Sequence, residues 1–177
     1  MCKKLYSLLA KANLRFFILT SIFLSSCVTD GGEDINEVIN YIKVGDKLPE
    51  DWGYNEFNTN DFTGKHSLLV LFTTTCPDCL DILPEIEKVW LQLKDNPGYK
   101  VIAVARGQKI DPDNGFWEAG KKRYTIPVIN DEGKNIFNLF ANRMIPRIYL
   151  INPEGVVTHM WIEKLDVTAE QLIELMK

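Results

Sequence analysis

Thr75-Cys76-Pro77-Asp78-Cys79 is the segment with the clearest chemical content in this 177-residue chain. If the segment opens a helix, two thiols three positions apart share one face, one turn from each other and within disulfide range. The thiolate is the reactive form of cysteine. A helix N-terminus stabilises it with free N–H groups and the positive end of the dipole. Pro77 suits the first helical turn, where its missing N–H costs nothing. The spacing therefore makes Cys76 the exposed nucleophile and Cys79 the buried resolving thiol. Thr75, Pro77 and Asp78 are their immediate neighbours, and the charge of Asp78 opposes a thiolate at Cys76.

Other uses of the pair fit less well. A zinc site takes four ligands, commonly two such pairs. There is no second Cys-x-x-Cys, and His66 and His159 are scattered. A static disulfide closing two residues would remove little unfolded-state entropy. No metal and no organic cofactor is expected. Asp111-Pro112-Asp113-Asn114-Gly115 is acidic but lacks the spacing of a calcium loop, and reads as a turn and helix start.

The elements around the pair follow from hydropathy. Ser67 to Thr73 is a continuous apolar run, the pattern of a strand covered on both faces. From Pro77 a helix runs to about Asp95, with Leu80, Leu83, Ile86, Val89, Trp90 and Leu93 at helical spacing. Pro84 is expected to kink it, and Asn96-Pro97-Gly98 stops it. Val101 to Ala105 is a second buried strand. A polar helix is expected over Asp113 to Tyr124, with Phe116 and Trp117 packing it or lining a partner groove. Ile126 to Ile129 reads as short and extended, and Asn135 to Ala141 as a short helix. Arg147 to Ile151 is a third strand, turning through Asn152-Pro153-Glu154-Gly155 into Val156 to Ile162. Arg147 itself reads as an exposed strand-end residue or a substrate contact. Thr168 and Gln171 form a capping-box pattern before a final helix with Leu172, Ile173 and Met176 inward. Before the first core strand, Ile35, Val38, Ile39 and Ile42 make a short amphipathic helix or a docking segment, and Lys43 to Gly64 holds one or two edge strands. Alternating strands and helices imply one α/β domain: a parallel core extended by an antiparallel hairpin into a central mixed sheet, with helices on both faces.

The combined pattern resembles the thioredoxin superfamily. It is carried by Cys76-Pro77-Asp78-Cys79 after the Ser67 to Thr73 strand, Pro84 five residues past the second cysteine, and Ile145-Pro146 before the third strand. Val44-Gly45-Asp46-Lys47-Leu48-Pro49 and the insert before Ile145 resemble its TlpA/ResA-like, AhpC/TSA-related envelope branch. The resemblance implies a thioredoxin-like fold over 44–177 and reduction of protein disulfides, with a redox donor protein to recycle the pair. It also implies that Pro146 is a cis-proline facing the cysteines, and that the backbone at Ile145 pairs with a substrate peptide. Many relatives carry tryptophan before the first cysteine and a carboxylate or Asn six residues before it; this chain has Thr75 and Val70. No buried acid is therefore expected to accept the proton of Cys79. Peroxiredoxins share the fold and use Pro-x-x-x-Thr-x-x-Cys; Thr73 matches their threonine, but Leu69 stands at the proline. A thiol peroxidase is the alternative activity, and a non-catalytic binding lipoprotein the alternative class.

The N-terminus adds a location. Residues 1–26 hold Lys3, Lys4, Lys11 and Arg15, no acid, and an apolar run from Phe16 to Leu24. That run is too short to cross a bilayer in a helix, which takes about 20 residues, and reads on its flanks as a secretory signal, with an irregular N-terminal membrane anchor as the alternative. Leu24-Ser25-Ser26-Cys27 resembles a bacterial lipobox. It implies cleavage before Cys27, acylation of Cys27, and a chain held on the cell-envelope membrane outside the cytoplasm by lipid. Residues 28–34 read as a polar tether, so 27–43 joins lipid to domain. Removing 1–26 leaves 16 basic and 24 acidic residues, a net charge of −8 against −4 for the whole chain. No basic stripe exists for nucleic acid, and a monomer is expected.

Overall fold

The structure is a computed structural model, and it describes residues 37–177. The signal of residues 1–26, Cys27, the 28–34 tether and Ile35 lie outside the described residues.

Two short strands, β1 (Gly53–Tyr54) and β2 (Phe57–Asn58), pair as a hairpin. A single 3-10 turn, Thr59–Phe62, leads from it to the core. The core sheet is built from β3 (His66–Phe72), β4 (Tyr99–Arg106), β7 (Val128–Asp131), β8 (Arg147–Ile151) and β9 (Val157–Ile162). Its spatial order is β7-β4-β3-β8-β9. The pairs β3–β4 and β4–β7 are parallel, whereas β3–β8 and β8–β9 are antiparallel. Helices α1 (Pro77–Leu93), α2 (Asn135–Phe140) and α3 (Ala169–Leu175) cover it.

The period-two alternation of β3 separates two apolar layers. Leu68, Val70 and Phe72 face a layer that holds Leu83, Ile86 and Val89 of α1 and Leu172 of α3. Leu69 and Leu71 face a second layer with Ile136, Phe137 and Phe140 of α2, and Phe57, Phe62 and Ile42 from upstream. That is why β3 reads as unbroken apolar sequence: it has no solvent side. Helix α1 runs unbroken through Pro84, whose ring deprives only the Leu80 carbonyl of its i+4 donor. The capping box at α3 is formed: Thr168 N donates to Gln171 Oε1 at 2.8 Å and Gln171 N to Thr168 Oγ1 at 3.4 Å. Leu172 and Met176 are buried.

Three expectations are corrected. Residues 113–124 form no helix. They hold a second hairpin, β5 (Trp117–Ala119) and β6 (Lys122–Tyr124). Gly120, at φ +61°, supplies the left-handed first position of its two-residue turn, a position that glycine takes without a Cβ penalty. Trp117 and Tyr124 are cross-strand partners, buried at 3% and 2% exposure. Their rings lie 5.0 Å apart, and Trp117 lies 5.1 Å from Phe72. The indole donates to the Ile126 carbonyl at 2.7 Å. Burying two aromatic rings through strand alternation outweighs the weak helical period of a polar segment. Trp117 is thus core, while Phe116 is 39% exposed beneath the Arg123 guanidinium.

Residues 38–42 are not helical either. They run past the end of α2 and bend at Tyr41 and Ile42, with Asn40 bridged to Ala141 and the Tyr41 and Ile42 amides donating to the Phe140 carbonyl. The docking alternative is the one realised. Finally, Arg147 is fully buried rather than exposed. Its guanidinium has acceptors waiting inside the protein, described below.

Candidate active site

The first core strand, central in the sheet, ends at Phe72, and Thr73, Thr74 and Thr75 carry the chain from its C-terminal end into α1. Cys76 is the N-cap, with extended backbone, and Pro77 opens the helix. The first helical bond runs from Leu80 N to the Cys76 carbonyl at 3.0 Å. Asp78 and Cys79 therefore keep amides without intrahelical acceptors, the arrangement that favours negative charge at the cap. Cys76 is half-buried and Cys79 fully buried, and both are free thiols. Thr75, Pro77 and Asp78 are exposed around them.

Cys79 lies in the apolar layer shared by Phe72, Leu83 and Trp117. Burial, the largest cause, pushes its thiol well above the ordinary cysteine range. The hydrogen bond and charge of Cys76 and the charge of Asp78 push the same way; a hydrogen bond from the Thr73 backbone opposes them. The two cysteines are thus unequal by position: one can be reached from solvent, and the other is held neutral.

Opposite Cys76 stands the loop that precedes β8. The Ile145–Pro146 peptide bond is cis. Cys76 Sγ lies 3.9 Å from the Ile145 carbonyl oxygen, which accepts a weak bond from the thiol. Ile145 precedes the first ladder residue of β8, Arg147, which pairs with Leu71. Its backbone therefore stands outside the sheet and facing the reactive sulfur. The Pro146 carbonyl accepts from Glu163 N at 2.8 Å. Beside the helix start, Asp78, Asp81 and Glu85 of α1 line a cleft of about 270 Å³ with Glu163 and Lys164. That side of the mouth is acidic.

Several residues that hold the site were not singled out from the sequence. Gln108 grips the strand-to-helix turn twice: its Oε1 accepts from Thr74 N at 2.8 Å and its Nε2 donates to Thr74 Oγ1 at 3.1 Å. Glu87 of α1 accepts from Thr125 N and Oγ1 and from Ile126 N. Glu85 accepts from Ala169 N at the start of α3. Asp131, fully buried, caps α2 by accepting from Ile136 N and Phe137 N. Among the described residues no group of three or more His, Cys, Asp or Glu side chains gathers as a metal site. The 111–115 segment instead makes a tight turn, with Asp113 and Phe116 exchanging backbone bonds.

Comparison with known proteins gives a consistent picture. The profile of the AhpC/TSA family matches residues 44–160. The thiol-disulfide oxidoreductase ResA of Bacillus subtilis is 28% identical over 155 residues, covering 83% of this chain and 84% of that protein. ResA of Halalkalibacterium halodurans is 26% identical over 131 residues, 72% of each. Among solved structures, a candidate protein disulfide isomerase from Bacteroides thetaiotaomicron superposes with a TM-score of 0.57 at 24% identity, over 76% of this chain and 86% of that one. The exposed lipoprotein thioredoxin of Streptococcus pneumoniae gives 0.50 at 17%, over 68% and 89%. At these identities the two structures speak for the fold: a mixed five-stranded sheet with flanking helices, thioredoxin-like.

Proposed function

The chain belongs to the AhpC/TSA family, and from that premise we propose that it is a thiol–disulfide oxidoreductase whose working pair is Cys76 and Cys79. One observation carries the reading. A reachable thiol caps a helix opposite a loop backbone, while a second thiol one turn away is buried and kept protonated. In the reductive direction, the Cys76 thiolate attacks one sulfur of a substrate disulfide. The substrate S–S bond breaks, and the departing sulfur leaves as a thiolate that takes a proton. A mixed disulfide now joins Cys76 to the substrate. Cys79 loses its proton and attacks the Cys76 sulfur, so that the second substrate sulfur is released and a Cys76–Cys79 disulfide remains. Two electrons and two protons have moved to the substrate, and a redox donor protein must return them. Ile145, beside Pro146, offers its backbone to an extended substrate segment as an added strand. No organic cofactor enters this sequence.

The location follows from Leu24-Ser25-Ser26-Cys27. On this reading residues 1–26 are a signal removed before Cys27. Acyl chains on Cys27 hold the 44–177 domain outside the cytoplasm, on the bacterial envelope, through residues 28–43. Among the described residues no helix is long and apolar enough to cross a membrane.

The test pits disulfide against peroxide. Thr73 sits where a thiol peroxidase has its threonine, but the place of the proline is taken by Leu69, buried inside β3. Peroxide activation needs a pocket of donors aimed at the O–O bond, whereas a thiol on the same turn is placed to resolve a mixed disulfide. Reduced full-length protein, followed by stopped-flow tryptophan fluorescence with Cys76→Ser as blank, reduces insulin disulfides much faster than dithiothreitol alone does. It reacts with hydrogen peroxide as slowly as an ordinary thiol. Fast, saturable peroxide turnover with negligible disulfide exchange would make it a peroxidase, and silence on both would make it a binding lipoprotein.

A further inference from the structure

Arg147 heads the largest fully buried side chains among the described residues, and it follows Pro146 directly. A buried guanidinium is costly unless its donors are met. Here they are met by neutral oxygens. Nε donates to the Met144 carbonyl at 3.0 Å and to the Arg143 carbonyl at 3.2 Å, and Nη2 donates to the Arg143 carbonyl at 2.7 Å. Nη1 donates to Asn40 Oδ1 at 2.6 Å. The fork therefore grips the peptide units on both sides of Met144. That residue sits at φ +68°, a left-handed conformation that a side-chain-bearing residue keeps only when its surroundings impose it. The next residue is Ile145, whose carbonyl faces Cys76 Sγ.

The fourth contact comes from far away in sequence. Asn40 lies 107 residues before Arg147. Its own segment is bound to the same loop: Ile39 N donates to Asn142 Oδ1, and Asn142 N donates to the Ile39 carbonyl. Residues 39–42 and the 141–147 stretch thus form one hydrogen-bonded unit, and this unit ends at the backbone opposite the reactive sulfur.

We propose that Arg147 and Asn40 are positioning residues for substrate recognition: the guanidinium fixes the Arg143–Ile145 loop opposite Cys76, and Asn40 locks the guanidinium from the N-terminal segment. Neither side chain touches the substrate. They set the place of the backbone on which a protein substrate is aligned, which matters for an extended chain and much less for a small disulfide that needs only the Cys76 sulfur. The proposal rests on the oxidoreductase reading above.

The test uses the full chain, reduced, with insulin and with a small aromatic disulfide as substrates, and follows thermal unfolding in parallel. Asn40→Ala removes one acceptor from a charged donor and raises KM for insulin about five- to tenfold, with kcat within about twofold of wild type. The loss of kcat/KM on the small disulfide is at least about threefold smaller than that on insulin. Asn40→Asp keeps the oxygen that Arg147 needs and restores the insulin KM to within about twofold of wild type. Arg147→Lys keeps the charge but not the fork, and gives the Asn40→Ala signature more strongly; if it fails to fold, the Asn40 pair decides. A folded Asn40→Ala with unchanged insulin KM overturns the proposal. So does an equal loss on both substrates, or a failure of Asn40→Asp to rescue. A wild-type protein that exchanges neither disulfide overturns the oxidoreductase reading itself.

Discussion

The burial of Cys79 makes the second half of the reaction depend on pH in a way that can be read in time. Consider reduced protein mixed with an aromatic disulfide whose two halves are coloured thiolates when free. Attack by Cys76 releases the first half in a bimolecular phase. Attack by Cys79 on the resulting mixed disulfide releases the second in a unimolecular phase. Once Cys76 is in the mixed disulfide, its hydrogen bond and its charge no longer act on Cys79. Burial, the largest cause of the upward shift, and the charge of Asp78 remain. The sign is unchanged, so Cys79 stays protonated through neutral and mildly alkaline pH. Only its thiolate attacks, and below its pKa the thiolate fraction rises about tenfold per pH unit. The second-phase rate should therefore climb about tenfold per unit from about pH 6.5 to 8.5 with no plateau. Stopped-flow absorbance across that range gives the slope, and Cys79→Ser, which should lose the second phase altogether, identifies it. A slope that bends over above about pH 8, with the rate gaining only about fivefold between pH 7.5 and 8.5, would mean that Cys79 ionises like an exposed cysteine, and the argument from burial would be wrong.

Three further outcomes are expected, two from the geometry and one from the N-terminal sequence. Cys79→Ala accumulates mixed disulfides through Cys76, visible as reducible adducts on non-reducing gels, whereas Cys76→Ala accumulates far fewer; equal trapping by both would reverse the assigned roles. Gln108→Ala leaves the Thr74 amide and hydroxyl without partners and costs about 1–3 kcal/mol in urea unfolding of the reduced protein; a change below about 0.5 kcal/mol would mean that solvent replaces both bonds. Intact-mass measurement of membrane-extracted protein shows a chain beginning at acylated Cys27, and retention of residues 1–26 or release of unlipidated protein would remove the anchor.

The strands β3, β4 and β8, helix α1 and the place of the two cysteines were legible because each rests on local pattern: apolar runs closed by turn residues, and helical spacing behind a proline at N1. The segment 113–124 was misread because its strands are three residues each, too short for alternation to outweigh a polar period. The usable signal was Trp117 and Tyr124 set symmetrically about Gly120-Lys121. Arg147 was misread because charge at a strand start normally means exposure, and its acceptors are loop carbonyls and an asparagine 107 residues upstream. Gln108, Glu87 and Glu85 were passed over for the same reason. Their partners lie 34 to 84 residues away, and nothing in a polar residue's type announces a partner at that distance. Val70 was, by contrast, readable as a buried strand residue, because it lies within the continuous apolar run of β3.

Glu85 and Glu87 bear on how firmly α1 is held. They are two positions apart, so their side chains leave α1 roughly 200° around its axis. One takes the first amide of α3 and the other the backbone leading into β7. Ties on opposite flanks resist both rolling and sliding of the helix, as guy ropes steady a mast. In the terms of native-state amide exchange, the α1 amides from Ile86 onward are expected to open last, with the global unfolding event. Neither tie involves Cys76, so equal protection of those amides in the reduced and in the oxidised protein is the expected outcome.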